Sequence, residues 1–143
     1  MIILDCIQQN CSSTCDATTL ISILISTFLA ILFLQSGIDK LNDWKGNLDW
    51  QKEHFSKSIL KNTTPLLFGT LTVLELTSGT LCVSGIISAI IKSCNYWIFW
   101  GNLLSCITLI CLFLGQRVAK DYAGAASLTG YFIITLIGLY LSV

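Results

Sequence analysis

Four apolar runs, each long enough to cross a bilayer as a helix, leave this chain few ways to fold. They extend from about Thr18 to Ile38, Pro65 to Ile91, Tyr96 to Gly115 and Gly124 to Val143. Each reaches the roughly 20 residues that a helix needs to cover about 30 Å of hydrocarbon. The first, third and fourth carry no charged residue, and the second carries Glu75 alone. Alternation with a period of two is missing from all four, which argues against a transmembrane barrel. Charged residues make up 11% of the 143 and the formal net charge is zero. So little charge excludes a disordered chain and a water-soluble globule of this size, and the balance of signs excludes a nucleic-acid binder. The expected fold is an all-α membrane protein, a four-transmembrane-helix bundle at residues 18–143 with an amphipathic interfacial segment between helices 1 and 2. A tail at residues 1–17 precedes it.

The tail carries Asp5 and Asp16 and no Lys or Arg, so the first span reads as a retained anchor rather than a cleaved leader. Lys40, Lys45, Lys52, Lys57 and Lys61 separate spans one and two, Arg117 and Lys120 separate spans three and four, and Lys92 alone lies at the opposite ends. That bias predicts both longer loops on the cytoplasmic side and the N- and C-termini outside. Between about Asp39 and Thr64, Leu41, Trp44, Leu48, Trp50 and Phe55 alternate with charges, the pattern of a short helix lying in the headgroup region. Pro65 suits the first turn of the second span, where a missing N–H costs nothing.

Helices in lipid associate through small residues and hydrogen bonds. The stripes expected at the contacts are Ser22, Ser26 and Ala30; Thr72, Glu75, Gly79 and Cys82; Gly101, Ser105 and Thr108; and Ala126, Gly130, Gly138 and Ser142. Glu75 lies about ten residues into its span, roughly 15 Å deep at 1.5 Å per residue. An acid at that depth costs on the order of 3 kcal/mol to insert and has to face the bundle. It reads equally as a proton- or ligand-handling group and as a protonated acid bonded to a neighbouring Ser, Thr or Asn. Gln35, near the end of span one, is the residue expected to approach it, with Asp39 one turn on and Lys40 adjacent; Asn102 lies in the outer part of span three.

Cys6, Cys11, Cys15 and Cys94 fall on the outer side in this topology and are candidates for a disulfide. None forms a CxxC pair, and no metal-ligand spacing is present. Cys82, Cys106 and Cys111 lie within spans and read as small packing residues. His54 stands in the first loop beside Glu53 as an ordinary surface residue, and no triad, phosphate loop or dinucleotide fingerprint accompanies it.

Three short motifs in order carry a further reading. Span one ends Phe33-Leu34-Gln35-Ser36-Gly37-Ile38-Asp39-Lys40-Leu41; span two holds Glu75-Leu76-Thr77-Ser78-Gly79; and span three is followed by Gly115-Gln116-Arg117-Val118-Ala119-Lys120-Asp121-Tyr122-Ala123-Gly124-Ala125-Ala126. In this layout the chain resembles the DoxX family of small four-helix bacterial membrane proteins, the last motif resembling a Bacteroidetes-type branch. The resemblance covers about Leu20 to Leu141. It implies an inner-membrane protein linked to redox complexes, with quinone as a possible cofactor. Lys40 and Glu75 are the positions carried over, and Arg117, Lys120, Asp121 and Tyr122 form a branch-specific loop site. The three-cysteine tail departs from the family pattern.

Three functions remain open on the sequence. One is a non-catalytic accessory subunit of a larger inner-membrane complex, in contact with membrane lipids and other membrane-protein subunits. The second is a stand-alone quinone- or thiol-linked oxidoreductase using Glu75 or the outer cysteines. The third is a small transporter or channel.

Overall fold

The computed structural model describes residues 17–56, 58–92 and 96–143. Five helices follow in order: α1 (Ala17–Asn42), α2 (Trp44–His54), α3 (Thr64–Lys92), α4 (Tyr96–Val118) and α5 (Tyr122–Leu141). All but α2 are long and apolar enough to cross a membrane. The chain is a multi-pass, all-α membrane protein in which α1, α3, α4 and α5 form the bundle. Cys6, Cys11, Cys15 and Cys94, expected as disulfide candidates, lie outside the described residues, as does Lys57.

The α1 helix runs past the expected end of its span to Asn42. At 26 residues it is about 39 Å long, more than the hydrocarbon needs, and it carries Lys40 within its last turns rather than in a loop. Asp43 then caps α2, its side chain accepting from the Gly46 N–H at 3.0 Å and so satisfying one of the free donors at the helix start. The amide of Asn47 donates back to the Asp39 and Asp43 carbonyls, which fixes the bend between α1 and α2. This α2 helix does not simply lie on lipid. Its Trp44 meets Phe68 of α3 edge-on at 4.7 Å, and Phe55 just beyond it reaches Gly115 of α4. It therefore roofs the α3–α4 seam at one end of the bundle, called here the α2 face.

The turn from α4 to α5 closes at that same face. Lys120 adopts φ 62°, the left-handed conformation that ends many helices. The N–H of Asp121 bonds the Gln116 carbonyl and that of Lys120 bonds the Arg117 carbonyl, the paired pattern of a Schellman end. Asp121 then caps α5 by accepting from the Gly124 N–H at 2.9 Å.

Close approach of the helices rests on reciprocal glycine pockets. A methyl group added at Gly37 of α1 would lie 2.6 Å from Leu76 Cδ2 of α3, and one added at Gly79 of α3 would lie 2.6 Å from Leu34 Cγ of α1. Each helix thus seats a leucine in the other's glycine. The α3–α4 seam repeats the device: Gly85 faces the Ile98 backbone, and Gly101 faces the backbone and Sγ of Cys82. Ser78 and Thr108 share a hydrogen bond of 3.0 Å across this seam. Leu29, Ala30, Phe33, Cys82 and Leu109 form the central apolar cluster.

The expected contact stripes of α1, α3 and α4 are buried. That of α5 is corrected in part. Gly138 and Ser142 are buried, but Ala126 and Gly130 are exposed, and nothing lies within 4 Å of a methyl group placed at Gly130. The inward face instead runs through Thr135, Gly138 and Ser142, with Ala125 buried at the helix start, because spacings of three, four and seven residues return to one side of a helix. Cys111, expected to pack, is exposed as well.

Two glycine substitutions test this packing. Gly85→Ala puts a methyl group 2.8 Å from the Ile98 backbone nitrogen, where no side chain can yield, and should destabilise the bundle by about 1–3 kcal/mol. Gly130→Ala meets nothing and should be neutral or stabilising by up to about 1 kcal/mol. Reversible unfolding in mixed micelles measures both.

Candidate functional site

The Glu75 side chain is 2% exposed and starts eleven residues beyond Thr64, about 16 Å along α3. Its partner is Lys40, whose Nζ lies 2.6 Å from Glu75 Oε2. Ser36, one turn before Lys40 on α1, closes a triangle: its hydroxyl donates to Glu75 Oε2 at 3.3 Å and accepts from Lys40 Nζ at 2.7 Å. Helix geometry explains how a lysine near the end of α1 meets an acid so far along α3. Side chains lean toward the N-terminus of their own helix. The two helices are antiparallel, so Lys40 leans inward from the α2 face while Glu75 leans outward toward it. The Gly37–Leu76 and Leu34–Gly79 contacts bring the two backbones close enough for the pair to form.

Gln35, expected to approach Glu75, is exposed. Depth put it at the right level, but consecutive helical residues diverge by about 100°, and it is Ser36 that faces Glu75. Lys40, counted among the loop cations in the orientation argument, is drawn into the bundle, with 13% of its side chain exposed. The triangle joins a charged donor to a charged acceptor, and both become costly if either is removed. Such a pair holds helices in one register; it also isolates the acid from other partners.

The loop site expected at Arg117, Lys120, Asp121 and Tyr122 is a helix junction. The Arg117 guanidinium sits 4.8 Å above the Tyr122 ring, and Lys120 and Asp121 supply the turn and the cap described above. His54, expected as an ordinary surface residue, belongs to this junction too. Its ring stacks on Trp50 at 4.8 Å, and its Nε2 lies 3.8 Å from Asp121 Oδ2. That nitrogen is buried and has no hydrogen-bond partner among the described residues, and neither has the Oε1 of Gln116. Sequence reasoning missed Gln116 and Ser36. A helical wheel drawn through Lys40 would have found Ser36, four residues before it on the same face; Gln116 needed knowledge that α2 folds back over α4.

Between α2, α3 and α4 lies a cavity of about 430 Å³, lined mainly by apolar side chains, with His54, Gln116 and Thr64 among its polar ones. A second buried polar group occupies the other half of the bundle. Asn102 of α4 is fully buried, its amide nitrogen and oxygen unpaired among the described residues, as are the hydroxyls of Ser22 and Ser26 on α1. Gly138 of α5 packs against the same amide. No group of three or more His, Cys, Asp or Glu side chains among the described residues is placed to hold a metal ion.

No family model, curated protein or solved structure matches the chain.

Breaking the pair from either side should be costly. Lys40→Met, which strands a buried carboxylate, and Glu75→Leu, which strands the ammonium, should each destabilise by about 3–5 kcal/mol, and the double variant by much less than their sum. A double-mutant cycle of unfolding free energies in mixed micelles measures this; additive costs would mean the two side chains do not interact.

Proposed function

We propose that this chain is a small accessory subunit of a larger inner-membrane complex, redox- or quinone-linked, in which the bundle acts as a scaffold. The observation that carries the reading is the Lys40–Ser36–Glu75 triangle. An acid that relays protons or binds a substrate has to exchange partners during its work. Here the intramembrane acid of α3 is held by a cation and a hydroxyl of the same chain, which favours a holding role over a transport path. The ordered motifs resembling the DoxX family support the link to a redox complex.

The topology proposed with it places the α2 face in the cytoplasm and the termini in the periplasm. With Lys40 drawn into the bundle, Lys45, Lys52, Lys61, Arg117 and Lys120 among the described residues still belong to the α2 face, against Lys92 at the far end of α3, an asymmetry that the positive-inside rule reads as cytoplasmic.

Isolation of the chain from its native membrane in nanodiscs, followed by mass spectrometry of the intact assembly, tests the reading. The expected result is one or more partner chains in fixed ratio, at least one belonging to a cofactor-bearing redox enzyme. A solitary chain or a homo-oligomer would overturn it.

A further inference from the structure

Beyond a scaffold role, the cavity under α2 has the composition of a ligand site. Its volume of about 430 Å³ falls within the range of small-molecule pockets. Most of the wall is apolar, built from side chains such as Leu67, Leu71 and Leu112. Two of the polar lining residues, His54 and Gln116, stand where α2 meets the α4–α5 junction. There the buried His54 Nε2 and Gln116 Oε1 lack hydrogen-bond partners among the described residues. Asp121 sits at this junction: its Oδ2 lies 3.8 Å from His54 Nε2, and its backbone N–H donates to the Gln116 backbone carbonyl. Buried polar atoms left unpaired are costly, so a ligand that pairs both gains where lipid tails cannot.

The chemistry of the two atoms selects the head group. Gln116 Oε1 only accepts. His54 Nε2, when it carries the proton, donates. A hydroxyl oxygen receives the second bond and its hydrogen makes the first. The Asp121 carboxylate beside the imidazole disfavours a carboxylate or phosphate head by like-charge repulsion. We propose that this cavity binds a neutral, hydroxyl-headed, single-chain amphipath, its head between His54 and Gln116 and its chain along the α3–α4 seam.

The test uses the full-length protein in nanodiscs with a photoactivatable long-chain alcohol, hexadecanol bearing a diazirine near the hydroxyl. Labelling is mapped by peptide mass spectrometry. The expected result is saturable labelling of residues 50–55 and 111–118, displaced by hexadecanol but not by hexadecane or hexadecanoic acid. Gln116→Leu should weaken binding about five- to tenfold, the worth of one hydrogen bond. Gly115→Leu, whose new side chain would grow into the cavity beside Phe55, should abolish it. Labelling spread over the lipid-facing sides of all four spans, or displaced equally by hexadecane, would overturn the proposal. Equal displacement by hexadecanoic acid would overturn its head-group assignment, as would unchanged affinity in a folded Gln116→Leu protein. If both variants fail to fold, the competition series on the unmodified protein decides alone. None of these results depends on whether the chain has partner subunits.

Discussion

A carboxylate inside a membrane must be neutralised, and the way this chain neutralises Glu75 sets the arrangement of its first half. The cation comes from α1, two residues from that helix's end, and reaches inward because antiparallel helices lean their side chains toward one another. The bond forms only if α1 and α3 touch backbone to backbone. The leucine-in-glycine contacts at Gly37 and Gly79 provide that approach. Polar pairing and small-residue packing are thus a single device here: either without the other leaves a buried charge or a gap.

The second seam, between α3 and α4, uses the same reciprocal glycine geometry with neutral partners. Gly85 and Gly101 let the backbones meet, and Ser78, Thr108, Cys82 and Ser105 exchange weak polar contacts between them. In lipid, where apolar surface gains little by leaving the hydrocarbon, contacts of this kind and dense packing supply the association. The α5 helix is held more loosely. Its buried face is a row of small residues ending at Gly138 and Ser142, and much of the rest of it faces outward.

Much of this was legible in the sequence, because hydrocarbon imposes simple rules. Span number, the burial of Glu75 and the small-residue stripes of α1, α3 and α4 all follow from the length, charge and spacing of apolar runs. What escaped was azimuth and tertiary return. Gln35 and Ser36 differ by one residue and share a depth, yet only one faces α3. Ala126 and Gly130 keep a four-residue spacing, but on a side of α5 that no neighbour covers. His54 read as a surface residue because nothing local announces that α2 folds back toward Asp121. Pairings across more than sixty residues, such as that of His54 with Asp121, leave no mark in local periodicity.

The position of Lys40 also bears on how the protein enters its membrane. Long cationic side chains stretch toward the headgroups when nothing inside the bilayer holds them. A nascent chain that has delivered only α1 has no such anchor, and its lysine pulls the helix end toward the surface. Arrival of α3 brings Glu75 and reverses the pull. The seating depth of the first helix is therefore coupled to the second span through a single pair of side chains.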